Sequence, residues 1–293
     1  MIIDFHTHIF PSYFRDDRAL FFSDEPAFEH IYRSPKSRLA GREELLNNMD
    51  EEGIHKSVVF GFPWQKADHF RRHNDYIMES VHRYPERLIG FCTFSLMSPQ
   101  VSKEAERCLK NGLSGVGELA VYQFGFSAKD ISSLRNIMEI CTHFDVPILI
   151  HTNEPVGHQY LGKTTMKLKD LYEFLQEYSS NRIVLAHWGG GIFFYALMKE
   201  VREALNNVWF DTAASPYLYV PDIYRVAGDI IGHEKVLFGT DYPLLKPKRY
   251  FNEMKSANLS ARAIRKIIGE NAARLLRLSL NENASNMNRK GDF

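Results

Sequence analysis

Short apolar runs recur along the chain, each followed by a turn and then by a stretch in which apolar residues return every three or four positions. The runs cover residues 2–6, 56–61, 88–94, 114–119, 146–151, 182–187, 207–212 and 235–240. They read as strands, and the spacing between them reads as amphipathic helix. Leu45, Leu46 and Met49 set one such helical face, as do Leu134, Ile137, Met138 and Cys141. Further helices are predicted near 67–83, 100–111, 167–179, 192–205, 221–231 and 260–278. Gly53, Gly112 and Gly232 stand where helices would stop before the next strand.

Alternation of this kind implies parallel strands joined by crossover helices, and eight strands are what a closed (β/α)8 TIM-type barrel requires. A chain of 293 residues suits one such domain. No linker or fixed-period repeat divides it, so the barrel is expected over residues 1–280. Residues 281–293 are Asn-rich, polar and aperiodic, which predicts a flexible tail. Residues 10–40 form an extended loop after strand 1, too long for an ordinary connection and carrying Phe10, Tyr13, Phe14, Phe21, Phe22, Phe28 and Tyr32. Because it leaves strand 1 at its histidine end, it is read as a lid over the site; a satellite subdomain and an oligomer contact are the structural alternatives.

Charge narrows the function only by exclusion. The 36 basic and 36 acidic residues cancel, which removes any bulk electrostatic case for nucleic acid or an anionic membrane. Cys92, Cys108 and Cys141 lack C-x-x-C spacing, so neither a disulfide framework nor a cysteine-rich metal site is expected. No apolar stretch of about 18 residues suggests a membrane span. Asp4 interrupts the first apolar run, against a signal peptide, and a cytoplasmic location is the default. A homo-oligomer is possible through the 10–40 segment or the terminal helices.

The chemistry lies where the strands end. His6-Thr7-His8 follows the first run, and residues two apart on a strand share a face, so both imidazoles aim at one point. Gly115-Val116-Gly117-Glu118, Ile148-Leu149-Ile150-His151, Ile183-Val184-Leu185-Ala186-His187 and Phe238-Gly239-Thr240-Asp241 repeat the pattern. In a parallel barrel all these ends open on one face. Imidazole and carboxylate are the donors a catalytic divalent ion uses.

Taken together, His6-x-His8, Gly-Glu118, Ile-His151-Thr, Ala-His187-Trp-Gly-Gly-Gly and Gly-Thr-Asp241-Tyr-Pro resemble the amidohydrolase superfamily. The wording around His187 and Asp241 is most similar to the branch that includes aminocarboxymuconate-semialdehyde decarboxylase. The resemblance implies that His6, His8 and Asp241 hold one divalent ion, with His151 completing that site or joining His187 on a second. It places Glu118 where relatives carry a carboxylate or carboxylated lysine bridging two metals. Zinc is the default among one or two ions, with manganese, nickel, cobalt or iron able to take the same donors.

On this basis the leading expectation is a metal-dependent hydrolase of an amide, lactone or ester-like bond in a small molecule. Asp241 would take the proton of a metal-activated water and His187 would polarise the carbonyl. Glu118 tips the choice this way. The alternative is a non-oxidative decarboxylase of an unsaturated or aromatic acid, in which His187 stays off the metal and protonates carbon; phosphodiester cleavage and a non-catalytic metal cluster rank below. Substrate contacts are sought at Asn153, Trp188, Tyr217 and Tyr242, and then at Glu154, His158, Ser215 and Lys246. Asp4 is read as a carboxylate orienting an imidazole. His30, His55, His69, His73, His82, His143 and His233 are read as surface residues. Gly189-Gly190-Gly191 lacks the phosphate-loop patterns and is read as a close backbone approach at the barrel mouth.

Overall fold

The computed structural model describes residues 1–120 and 128–278, the side chains of 128–133 excepted. The tail expected over 281–293 lies outside the described residues. Eight strands pair in sequence order, each parallel to the next. They are β1 (Ile3–His8), β2 (Lys56–Phe60), β3 (Leu88–Cys92), β4 (Gly115–Leu119), β5 (Ile148–Ile150), β6 (Ile183–Leu185), β7 (Val208–Asp211) and β8 (Val236–Leu237). The seam between β8 and β1 closes through backbone bonds: Phe5 N–H to Phe238 O at 2.8 Å, Asp241 N–H to His6 O at 2.9 Å and His8 N–H to Tyr242 O at 2.8 Å. The fold is the (β/α)8 barrel.

Two apolar layers follow from this closure. Ile3, Phe5, Val58, Phe60, Phe91, Leu149, Val184 and Leu237 fill the barrel, with Ala272, Ala273 and Leu275 of the last helix packed against them. Side chains of the opposite face, such as Val59, Cys92, Val116, Ile148 and Phe210, meet the surrounding helices. Each fully buried Phe or Leu in these layers contributes about 1.5–3 kcal/mol relative to exposure.

Helices at Arg42–Glu52, Ala67–Arg83, Val101–Lys110, Leu168–Glu177 and Ile223–Ile231 stand close to where the periodicity puts them. The helix predicted over 192–205 is not formed as such. Trp188 and the three glycines after it all have left-handed φ, from 58° to 83°, and regular helix is confined to Lys199–Ala204. Packing explains the departure: a Cβ on Gly190 would lie 2.4 Å from the Asn153 carbonyl oxygen, so the chain passes too close to the neighbouring loop for any side chain. The helix Pro247–Ser256, with Pro247 at its first turn, was not anticipated.

Segment 10–40 is folded against the barrel. Phe10, Phe14 and Phe28 are fully buried, with Phe14 stacked on Trp64 at 4.3 Å and Phe28 tilted against it at 4.5 Å. Glu25, also buried, accepts the Gln65 and Lys66 backbone N–H groups at 2.9 Å each and faces His69 Nδ1 at 2.9 Å. That carboxylate serves the otherwise unpaired start of the helix Ala67–Arg83. His73, expected at the surface, is instead buried: its Nδ1 accepts Trp64 Nε1–H at 2.8 Å and its Nε2–H donates to Ile9 O at 2.7 Å. Among the described residues no helix is long and apolar enough to cross a membrane.

Candidate metal centre

Two irregularities in the sheet aim the first donors. On β1 the register runs Asp4 to Ser57 and then Thr7 to Val59, so Phe5 and His6 together face Val58. This bulge changes the alternation: Phe5 fills the barrel interior, and His6, the very next residue, also turns inward to meet Phe60 and His187. On β4 the register shifts between Val116 and Leu119, which lifts Glu118 into the mouth. Gly117 permits it, since a Cβ there would lie 2.3 Å from Leu149 O. His187 and Asp241 complete the set from left-handed backbone at φ 53° and 59°, conformations that store strain of order 1 kcal/mol or more each and cluster at functional sites.

Each imidazole is fixed through one nitrogen, which leaves the other facing the centre. His6 Nδ1–H donates to Asp211 Oδ2 at 2.8 Å, His8 Nδ1–H to Gly61 O at 3.0 Å, His187 Nδ1–H to Ala213 O at 3.0 Å and His151 Nε2–H to Gly162 O at 2.9 Å. The opposite nitrogens converge on two carboxylates. Asp241 Oδ1 lies 3.6 Å from His6 Nε2 and 3.4 Å from His8 Nε2; Glu118 Oε2 lies 3.7 Å from each. Glu118 Oε1 faces His151 Nδ1 at 2.9 Å and His187 Nε2 at 3.4 Å.

Lone pairs therefore meet lone pairs, an arrangement that needs positive charge to be stable. Among the described residues His6 Nε2 is buried without a hydrogen-bond partner. Among them, two sets of three donors lie within 4.8 Å of one another, His6 with His8 and Asp241, and His6 with Glu118 and His187. The donor set fits a divalent cation of the kind bound by nitrogen and oxygen without thiolate. Without the cation, protons must supply the charge. Burial opposes a charged His6, but Asp211 and then Glu118 outweigh it and raise its pKa from 6.5 to about 9. His187 behaves alike: burial opposes its charge, and the Glu118 carboxylate raises it to about 10. Burial would raise Asp241, yet His8 and His6 hold it down at about 2. His151 Nδ1 faces Glu118 Oε1 at 2.9 Å and His187 Nε2 at 3.2 Å.

Asp4 is fully buried and ties β1 to the end of β8. It accepts the Thr240 hydroxyl and backbone N–H at 2.6 and 3.0 Å and the His6 backbone N–H at 3.2 Å, so it holds the chain at the donors rather than any imidazole ring. Burial raises its pKa to about 7, against the lowering effect of Thr240. The residue that does orient an imidazole is Asp211, which sequence reasoning passed over. Its second oxygen accepts the His187 and Ala213 backbone N–H groups at 3.0 Å each, so one carboxylate fixes the His6 ring and the turn that carries His187. Asp211 ends an apolar strand, as Glu118 and Asp241 follow theirs, and that rule would have found it.

Above the donors opens a cavity of about 730 Å³, with His8, Glu118, His151, His187 and Asp241 among its lining residues. Ile31, Tyr32, Phe62, Leu161, Tyr217 and Leu244 are among its walls, and Lys36, Arg38 and His158 also line it. Tyr217 and His158 thus lie where substrate contacts were sought. Asn153, Trp188 and Tyr242 do not line it. Asn153 is spent on Thr164 and Glu154 backbone groups, Trp188 is fully buried with Nε1–H donated to Ser215 Oγ at 2.9 Å, and Tyr242 is buried at the β8–β1 seam. Lys246 pairs with Glu51 at 3.5 Å at the surface.

The sequence profile of the amidohydrolase family matches residues 3–278. The chain belongs to the amidohydrolase family. It is 24% identical over 300 residues to gamma-resorcylate decarboxylase of Polaromonas sp. strain JS666, covering 83% of this chain and 90% of the relative. It is 23% identical over 269 residues to 2-amino-3-carboxymuconate-6-semialdehyde decarboxylase of Dictyostelium discoideum, covering 77% and 72%. The fold superposes on 5-carboxyvanillate decarboxylase from Sphingomonas paucimobilis with a TM-score of 0.77 at 17% identity, over 95% of this chain and 99% of that one. Dihydroxybenzoic acid decarboxylase from Polaromonas sp. JS666, solved with manganese and 2-nitroresorcinol, gives 0.67 at 20% identity, over 94% and 96%. This amidohydrolase is an enzyme, and its named relatives decarboxylate. The expectation of hydrolysis, drawn from Glu118, is overturned by these relatives: a glutamate on β4 makes a carboxylate-rich centre and does not by itself specify attack by water.

Proposed function

We propose that this amidohydrolase is a metal-dependent, non-oxidative decarboxylase of an aromatic carboxylic acid. The carrying observation is the placement of a cation-binding donor set in a cavity with aromatic and aliphatic walls, Tyr32, Phe62, Leu161 and Tyr217 among them. The curated relatives, decarboxylases of aromatic or unsaturated acids, support the same reading.

In this proposal His6, His8 and Asp241 hold one divalent ion, with manganese and zinc both suited to two imidazoles and a carboxylate. When bound, the ion supplies Lewis-acid charge that anchors and neutralises the oxygens of the acid. The remaining work falls to the chain. His187, held through Nδ1 by Ala213 O and with Nε2 3.4 Å from Glu118 Oε1, carries the proton on Nε2 and delivers it to the ring carbon bearing the carboxylate. The carbon–carbon bond then breaks, its electron pair remains on the ring, and carbon dioxide leaves. One proton is consumed, neither water nor oxidant enters, and His187 regains its proton through the cavity mouth. Glu118 acts on His187: its Oε1, 3.4 Å from Nε2, favours the charged imidazole, and His151 Nδ1 lies 2.9 Å from the same oxygen. The apolar walls align the ring and exclude water from the carbon being protonated.

The test is product analysis. Metal-loaded enzyme incubated with a panel of hydroxybenzoates should give the arene lacking its carboxylate and one carbon dioxide per arene. Cleavage of lactone or amide substrates with every benzoate left intact contradicts the reading.

A further inference from the structure

Tyr32 ends the helix Pro26–Tyr32 in the 10–40 segment, and nothing in the sequence pattern singled it out from the other aromatic residues there. It lines the cavity together with the metal-centre side chains. Its ring is held from three sides, edge-on to Phe10 at 5.6 Å and to Phe62 at 5.8 Å and tilted against Phe28 at 4.9 Å. Its carbonyl is held too: Arg18 Nη1 donates to Tyr32 O at 3.3 Å and to Ser37 O at 2.7 Å. All this order fixes a phenol whose hydroxyl has no hydrogen-bond partner among the described residues. The Tyr160 hydroxyl, by contrast, is committed to Glu154 at 3.3 Å, and Tyr217 is half exposed beneath the Arg249 guanidinium.

Tyr32 is only partly buried, and its hydroxyl is not spent within the protein while its ring is held in place. It therefore presents a positioned donor to whatever fills the cavity. Burial, and then the Asp241 and Glu118 carboxylates within electrostatic range, oppose ionisation of the phenol, so the oxygen keeps its proton to donate. Lys36 follows on the same segment and lines the cavity, as does Arg38, whose guanidinium is paired with Glu44; the lysine favours an anionic guest.

We propose that the Tyr32 hydroxyl is a substrate-recognition group that donates a hydrogen bond to an oxygen of the bound aromatic acid, either its carboxylate or an adjacent ring oxygen. This rests on the cavity being an aromatic-acid site. Segment 10–40 thereby contributes a fixed specificity contact to a centre otherwise built from strand ends. The role is in binding: the proton transferred to carbon comes from elsewhere.

The experiment measures binding of 2,6-dihydroxybenzoate and of benzoate to the manganese-loaded protein by calorimetry, for wild type and Tyr32→Phe. Removing one hydrogen bond to an anionic oxygen should weaken binding about tenfold or more. The unfolding temperature should stay within about 2 °C, because no protein hydrogen bond is lost. Equal losses for both acids assign the bond to the carboxylate, and a loss confined to the dihydroxy acid assigns it to the ring oxygen; either supports the proposal. Normal wild-type binding with an unchanged Tyr32→Phe variant overturns the role of Tyr32 alone. A manganese-loaded wild type that binds neither acid overturns the aromatic-acid reading, and this inference with it.

Discussion

Asp211 Oδ2 receives the Nδ1 proton of His6 at 2.8 Å, with both side chains fully buried. This contact selects the tautomer of His6, because a ring that donates from Nδ1 must present the Nε2 lone pair to the centre. Asp211→Asn can satisfy the contact with its amide N–H, which turns His6 into the wrong tautomer. Metal affinity is expected to fall about 10–100-fold while the fold persists, as read by titration against a competing chelator. Unchanged affinity would show that Asp211 is not what orients His6.

On the proposal that His6, His8 and Asp241 hold the ion and His187 carries the proton, replacing Asp241 and replacing His187 should have separable effects. Asp241→Asn is expected to lose the ion and turnover together. His187→Asn is expected to keep the ion, since His6, His8 and Asp241 are untouched, and to lose about 10²–10⁴-fold in kcat. Metal content by elemental analysis beside kcat checks the distinction. A His187 variant that loses its ion would place that imidazole on the metal.

Metal binding should release protons. In the cation-free protein His6 is raised to about 9, so at pH 7.5 it is charged and must give up its proton before Nε2 can coordinate. Affinity should therefore rise by up to about tenfold per pH unit and level off near pH 9. Calorimetry in buffers of different ionisation enthalpy should count about one proton per ion near pH 7.5. Two ions bound with two protons released would contradict a one-ion centre and recruit His187, whose own pKa stands at about 10.

Acid stability has a separate cause in His73. Burial lowers its pKa from 6.5 to about 3, despite the bond to Ile9 O. The unfolded chain takes up a proton below 6.5 that the folded chain refuses until about 3, so stability is present above 6.5 and is lost as pH falls through this window. The slope is about 1.4 kcal/mol per pH unit for one group. Urea unfolding at pH 7 and pH 4.5 should show His73→Gln losing less stability across the interval than wild type. Identical losses would mean that other groups govern the acid limb.

The barrel and most of the centre were legible because both follow short rules. Parallel strands with crossover helices give eight apolar runs, and strand ends that share one mouth gather His6, His8, Glu118, His187 and Asp241 from across the sequence. What escaped depends on geometry that periodicity does not carry. The bulge that turns both Phe5 and His6 inward has no signature in the alternation of β1. The burial of His73 comes from segment 10–40 folding over it, with Trp64 and the Ile9 carbonyl as its partners, and local pattern cannot report so distant a contact. Trp188 looked like a pocket wall because it follows His187, yet a left-handed backbone buries it behind the site. Reaction type was least legible, since the same donors serve water activation and decarboxylation, and it is the decarboxylases among the protein's relatives that favour the second.

The most direct test follows the carboxylate carbon. Hydroxybenzoates labelled with ¹³C in the carboxyl group are incubated with metal-loaded enzyme, with chelator-treated enzyme and with chelator-treated enzyme given back its ion. Labelled carbon dioxide is expected from the first and third samples and not from the second. Label retained in the acid in every sample, or released at the same rate without the ion, would contradict the account.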